Sequence, residues 1–113
     1  MPSMPEDTII GLIQAAERHN TPAYLSLFCD EFKVNLEKQV NHMGKEVFSR
    51  LLQENFKNLT GIALRHKRQA SDDMLHLSVE FIYEGYDDMK SFLLKNINGD
   101  WKIKMITDDD RLM

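Results

Sequence analysis

MLHLSVEFIYEGYDDMKSFLLKNINGDWKIKMITD, residues 74–108, decides how this chain folds. It divides into three extended runs over residues 74–84, 89–97 and 101–107. Asn98-Gly99 joins the last two, and both residues tolerate the positive φ that a tight hairpin turn demands. Apolar residues alternate along the runs. Leu75, Leu77, Val79, Phe81 and Tyr83 fall on one face of the first, followed by Trp101, Ile103 and Met105 in the last. Residues 84–88 are expected to form the loop between the first two runs. A meander with one apolar face must bury that face against something, and the segments upstream have the pattern of its cover.

Working back from residue 74, Ser71-Asp72-Asp73 is a turn and residues 62–70 form a fourth, polar strand in which Ile62, Leu64, His66 and Arg68 share a face. Before it, Gly44 precedes an amphipathic helix with Val47, Phe48, Leu51, Leu52 and Phe56 on its apolar side; Leu59-Thr60-Gly61 ends it. Residues 39–43 are expected to be a loop. Phe32, Val34 and Leu36 alternate with Lys33, Asn35 and Glu37, the pattern of a half-buried strand, with Asp30-Glu31 as the break before it. Thr21-Pro22 suits the start of a short helix over residues 22–29. At the N-terminus, Ser3 and Glu6 have capping-box spacing, and Ile9, Leu12, Ile13 and Ala16 recur at helical intervals. The expected order is helix, helix, strand, helix, then four consecutive strands. That order defines an α+β domain whose helices cover one face of an antiparallel sheet, a single domain over residues 1–113.

With 113 residues and 42% apolar content, the composition is that of an ordinary globular domain. The formal net charge of −4 and the lack of a basic patch argue against a nucleic-acid partner. The densest basic run, Arg65-His66-Lys67-Arg68, fits a solvated strand face better than a phosphate-binding surface. No apolar run reaches the roughly 20 residues of a membrane span, and residues 1–7 lack a secretory pattern. The expected location is the cytoplasm, which leaves the sequon Asn58-Leu59-Thr60 without meaning. The lone cysteine, Cys29, sits in an apolar run and is expected to pack as a small hydrophobe. His19, His42, His66 and His76 are too scattered for a metal site, so no metal and no cofactor is expected.

Three stretches carry a family resemblance. Residues 23–34, AYLSLFCDEFKV, run from a helix through an aromatic and an acidic pair; Gly44-Lys45-Glu46-Val47-Phe48 opens a helix on glycine; Asn98-Gly99-Asp100-Trp101-Lys102-Ile103 forms a polar turn into a tryptophan strand. Together they resemble the nuclear transport factor 2-like superfamily, which includes SnoaL-like polyketide cyclases and ketosteroid isomerase. The resemblance implies a cone-shaped, cystatin-like α+β fold, a curved antiparallel sheet wrapped around three N-terminal helices. It also implies a pocket between the layers and a homodimer through the outer sheet face. These are scaffold signals, and a fold hosts many activities. The isomerase branch places a carboxylate base where this chain has Leu36, or Glu37 after a one-residue shift. Leu36 moves no proton, and Glu37 shares its strand face with Lys33 and Asn35, away from the apolar side.

Two readings of function follow. In the first, the protein binds a small apolar ligand or a protein partner without catalysis, in a pocket lined by Tyr24, Phe28, Phe48, Leu52, Phe81, Tyr83 and Trp101, with Tyr86 and Phe92 as further aromatic candidates. Core packing explains the same residues. In the second, it is an isomerase, dehydratase or cyclase that uses Glu37, His66 or Glu80 for proton transfer, with Tyr24 or Tyr83 as donor. A turn centred on Asp72-Asp73 sets His66 near Val79 or Glu80 on the neighbouring strand. A solvent-facing charge pair explains that juxtaposition equally well. The second reading requires at least two of these groups in one cavity.

Overall fold

Asn98 and Gly99 take φ values of 54° and 91°, the positive pair that the sequence requires of the last hairpin. This computed structural model describes residues 4–108. Four strands follow one another as an antiparallel meander: β1 (Leu59–Gln69), β2 (Met74–Tyr83), β3 (Tyr86–Ile97) and β4 (Asp100–Asp108). β3 starts three residues earlier than the alternation indicates. The connection from β2 is only Glu84-Gly85, with Gly85 at φ 94°.

The faces of β2 are those expected. Leu75, Leu77, Val79, Phe81 and Tyr83 are all buried, and Phe92, Leu94 and Ile103 join them from β3 and β4. Met105 does not join them. A bulge shifts the register between Leu93 and Leu94, so that Leu93 pairs with Met105 while Leu94 pairs with Ile103. The extra residue turns Met105 outward, 50% exposed, and brings Ile106 inward opposite Phe92. Two further bulges in β1 help bend the sheet into a curved, open surface.

Helices precede the sheet, as expected, but among the described residues there are four and no early strand. α1 (Pro5–Glu17) buries Ile9, Leu12 and Ala16. Ser3, the expected cap, lies outside the described residues; Met4 occupies the N-cap position, and its N–H donates to the Asp7 carboxylate at 3.1 Å. Asn20, not Thr21, caps α2 (Thr21–Leu25), accepting from the Ala23 N–H at 3.2 Å. α2 is shorter than the expected helix because residues 27–29 are stitched to β4. Ile103 N–H donates to the Leu27 carbonyl at 2.8 Å, and Cys29 N–H to the Ile103 carbonyl at 2.9 Å.

The segment expected as a strand and loop, residues 32–43, is instead a helix, α3 (Asp30–Met43). Its inward residues are Phe32, Leu36, Val40 and Met43, at helical and not alternating spacing, whereas Val34 is 49% exposed. Asp30 and Glu31 are the acidic first turn of that helix rather than a break. Gly44, at φ 91°, ends α3 and opens α4 (Lys45–Asn55), which buries Phe48, Ser49 and Leu52. Val47 and Leu51, expected on the apolar face, are outside it at 43% and 50% exposure.

Candidate functional site

Where the sheet curves away from the helices, a cavity of about 420 Å³ remains. Its floor is apolar: Leu12 of α1, Phe56 after α4, Phe81 of β2, Phe92 of β3 and Ile106 of β4. Tyr24 and Tyr83 add ring edges and hydroxyls, and Glu54, Tyr86, Asp88 and Lys90 stand at the open side. A second cavity of about 390 Å³ runs between α2, α3 and α4, bordered by Phe28, Phe32, Phe48 and Leu52. Tyr24, Asn55 and Ile106 border both.

Of the residues expected to line a pocket, Tyr24, Phe81 and Tyr83 meet in the first cavity and Tyr24, Phe28, Phe48 and Leu52 in the second. Trp101 borders neither of the two. It packs half-buried against the core, and its carbonyl accepts the Thr8 hydroxyl at 2.7 Å. Tyr86 and Phe92, the further aromatic candidates, border the first cavity. The sequence pattern does not reveal Ile106, hidden by the bulge, nor Asp88, expected in the loop, nor Lys90, expected only as a strand residue.

The proton-transfer candidates lie elsewhere. Glu37 is exposed on α3. His66 pairs with Ser78, one step from the expected register, because β1 bulges between Leu64 and His66. Glu80 receives the Arg65 Nε–H at 2.7 Å and a second bond from Arg65 Nη2. The neighbouring Asp87 carboxyl and then Arg65 hold the Glu80 carboxyl below its ordinary range, and the proximity of Glu80 raises that of Asp87. None of Glu37, His66 and Glu80 lines either cavity, so the two tyrosines share a cavity with each other and not with these groups.

Tyr24 is the unusual member of the site. It is 8% exposed, with its ring packed 5.2 Å from Phe28 and 6.2 Å from Phe48. Tyr83 donates its hydroxyl to the Asn55 carbonyl at 2.8 Å. The Tyr24 hydroxyl has no such partner among the described residues. Yet no fully sealed polar side-chain atom among them lacks a hydrogen bond. The Tyr24 oxygen therefore keeps contact with open space, and the cavities are the open space that this buried residue borders.

Burial also pushes the Tyr24 phenol up to about 12. A proton held more tightly folded than unfolded stabilises the fold fully below pH 10, and that contribution is lost as pH rises towards 12. It amounts to roughly 2–3 kcal/mol. Wild-type protein should lose more stability than Tyr24→Phe between pH 10 and 12 in parallel urea titrations. Equal losses would place the phenol in water.

At the rim, Lys90 is gripped by two carboxylates, Asp108 at 2.5 Å and Asp88 at 3.3 Å. Burial alone would pull its ammonium down, but the hydrogen bonds to Asp108 and Asp88 outweigh it and hold the group above the usual lysine range. Cys29 is half-buried, and burial pushes its thiol up, away from the reactive thiolate. Among the described residues no cluster of side chains has the make-up of a metal site, and no helix is long and apolar enough to cross a membrane.

No family model matches the chain, and no curated protein matches it. Solved structures do match its fold. An NTF2-like protein from Campylobacter jejuni, named as a candidate transpeptidase, aligns with a TM-score of 0.65 at 14% identity, covering 91% of this chain and 99% of that one. An NTF2-like protein of unknown function from Shewanella oneidensis gives 0.52 at 17% identity, with 91% and 97% covered. A ketosteroid isomerase-like protein from Erwinia carotovora gives 0.53 at 15% identity, with 89% and 88% covered. The chain has the nuclear transport factor 2-like fold, an α+β architecture of helices laid into a curved antiparallel sheet.

Proposed function

We propose that the protein binds a small, largely apolar ligand in the cavity between its helices and its sheet, with the Tyr24 hydroxyl bonding a polar atom of that ligand. The observation that carries this reading is the Tyr24 hydroxyl itself, on a buried residue and without a partner among the described residues. A tyrosine buried to this degree ordinarily finds a hydrogen-bond partner. Here a ligand is the group that supplies one. An apolar floor with few polar groups is the usual make-up of a small-molecule site. The carboxylates lining the cavity, Glu54 and Asp88, stand at its open side and not on its floor, which favours binding over proton abstraction from an enclosed ligand.

Medium-chain alcohols and ketones test the reading. A ligand at 100 times its dissociation constant stabilises a fold by about 2.7 kcal/mol, a rise of several degrees in melting temperature for a chain of this size. Tyr24→Phe, which keeps the ring, should weaken binding about threefold to tenfold, the worth of one hydrogen bond. If no such compound raises the melting temperature, the reading fails.

The outer face of the sheet suits a second copy of the chain. His76, Leu93 and Met105 form a row across three strands, since directly paired residues share a face. Met105 is half exposed there. Light scattering should give twice the chain mass for the wild type and a shift towards monomer for Met105→Lys. A monomer at all concentrations would remove this part of the proposal.

A further inference from the structure

We infer that the cavity takes an organic cation, an apolar body carrying an amine or ammonium head, in preference to an anion of the same shape. This rests on the reading of the cavity as a ligand site and adds the charge of what enters it. The argument begins with Lys90, the one cation among the described residues lining the cavity. Its ammonium is already engaged by Asp88 at 3.3 Å and Asp108 at 2.5 Å. Glu54 adds a second lining carboxylate at the same opening. Two lining carboxylates against one ammonium, itself also held by Asp108 from outside the lining, leave the rim with a negative excess, within a chain whose formal net charge is −4. An incoming carboxylate or phosphate would meet that excess and find the one lysine occupied. An incoming ammonium would meet Glu54, whose carboxylate has no hydrogen bond or ion pair among the described residues.

The aromatic lining points the same way. Tyr83 and Tyr86 stack with centroids 4.8 Å apart and planes 6° from parallel, and Tyr86 remains 60% exposed beside the opening. Phe81 lies 6.0 Å from Phe56 and 6.1 Å from Phe92 on the floor. Ring faces carry negative charge density that attracts cations, and Tyr86 is the exposed ring on the same side of the cavity as the carboxylates. A rim with a free carboxylate at Glu54 above an apolar floor of aromatic rings is therefore complementary to an amphiphilic amine at both ends, the head at the rim and the body on the floor. The Tyr24 hydroxyl, within the same cavity, accepts from an N–H or donates to an oxygen in the ligand body.

The test compares three probes of one chain length on the intact protein by calorimetry: octyltrimethylammonium, octanoate and 1-octanol. The ammonium should bind about tenfold more tightly than octanoate at low salt, with the gap narrowing as ionic strength shortens the Debye length. Glu54→Gln, an exposed change near the end of α4, should weaken the ammonium about threefold more than it weakens octanol; equal weakening of the two would show that the carboxylate does not hold the head. If octanol binds while octanoate equals or exceeds the ammonium, the preference for cations is wrong and the cavity remains a ligand site. If none of the three binds, both the preference and the ligand site are overturned.

Discussion

Replacing Phe92 by alanine should destabilise the protein by about 3–5 kcal/mol, the range for deleting a buried aromatic ring. Phe92 is 1% exposed, pairs with Leu77 on β2 and Ile106 on β4, and lies 6.1 Å from Phe81. It also borders the 420 Å³ cavity, so the deleted volume merges with space that is already empty and the surroundings have little to collapse onto. Against the roughly 5–15 kcal/mol that holds an ordinary domain together, this is a large fraction of the total. The midpoint of urea unfolding should fall accordingly with an unchanged slope. A loss below about 1 kcal/mol would show that the ring is not enclosed between helices and sheet.

Asn35→Pro should cost at least about 3 kcal/mol. Asn35 is exposed in the middle of α3, where proline removes a helical hydrogen bond and its ring strikes the preceding turn. The substitution separates helix from strand at this segment. Were residues 32–37 an edge strand with the Asn35 N–H turned to solvent, proline would be tolerated there. Loss of helical circular dichroism together with a lower melting temperature supports the helix. A near-neutral result supports a strand.

That segment marks where sequence pattern stops being informative. Over six residues, Phe32, Val34 and Leu36 satisfy a period of two, and Phe32 and Leu36 satisfy a helical period as well. The tie breaks only when the window is extended to Val40 and Met43, which continue the helical stripe, and when Asp30-Glu31 are taken as first-turn acids facing the helix dipole. Elsewhere the pattern was long enough. The five alternating residues of β2, the Asn98-Gly99 turn and the i, i+3, i+4 stripe of α1 each admit one reading, and each is observed.

The candidate site was legible only in part, for a different reason. Tyr24, Phe81 and Tyr83 are aromatic residues on inward faces, and periodicity finds such residues. Ile106 reaches the cavity through a one-residue bulge in β4, and no alternation reveals which residue a bulge skips. Asp88 and Lys90 stand on the inner face of β3, opposite Phe81 and Val79. Charged residues on a core-facing side look like loop in a sequence, and here they are tolerated because the face opens to solvent at the cavity rim. The expected contact of His66 with Glu80 failed through a similar bulge in β1, which hands Glu80 to Arg65.

The most direct test is an amide-resolved nuclear magnetic resonance titration of the intact protein with 1-octanol. Saturable shifts should concentrate at Tyr24, Phe81, Tyr83, Phe92 and Ile106, and Tyr24→Phe should move the same resonances with weaker affinity. Shifts confined to the outer sheet face around Leu93 and Met105, or none at all up to the solubility of the probe, would contradict a ligand cavity beneath the helices.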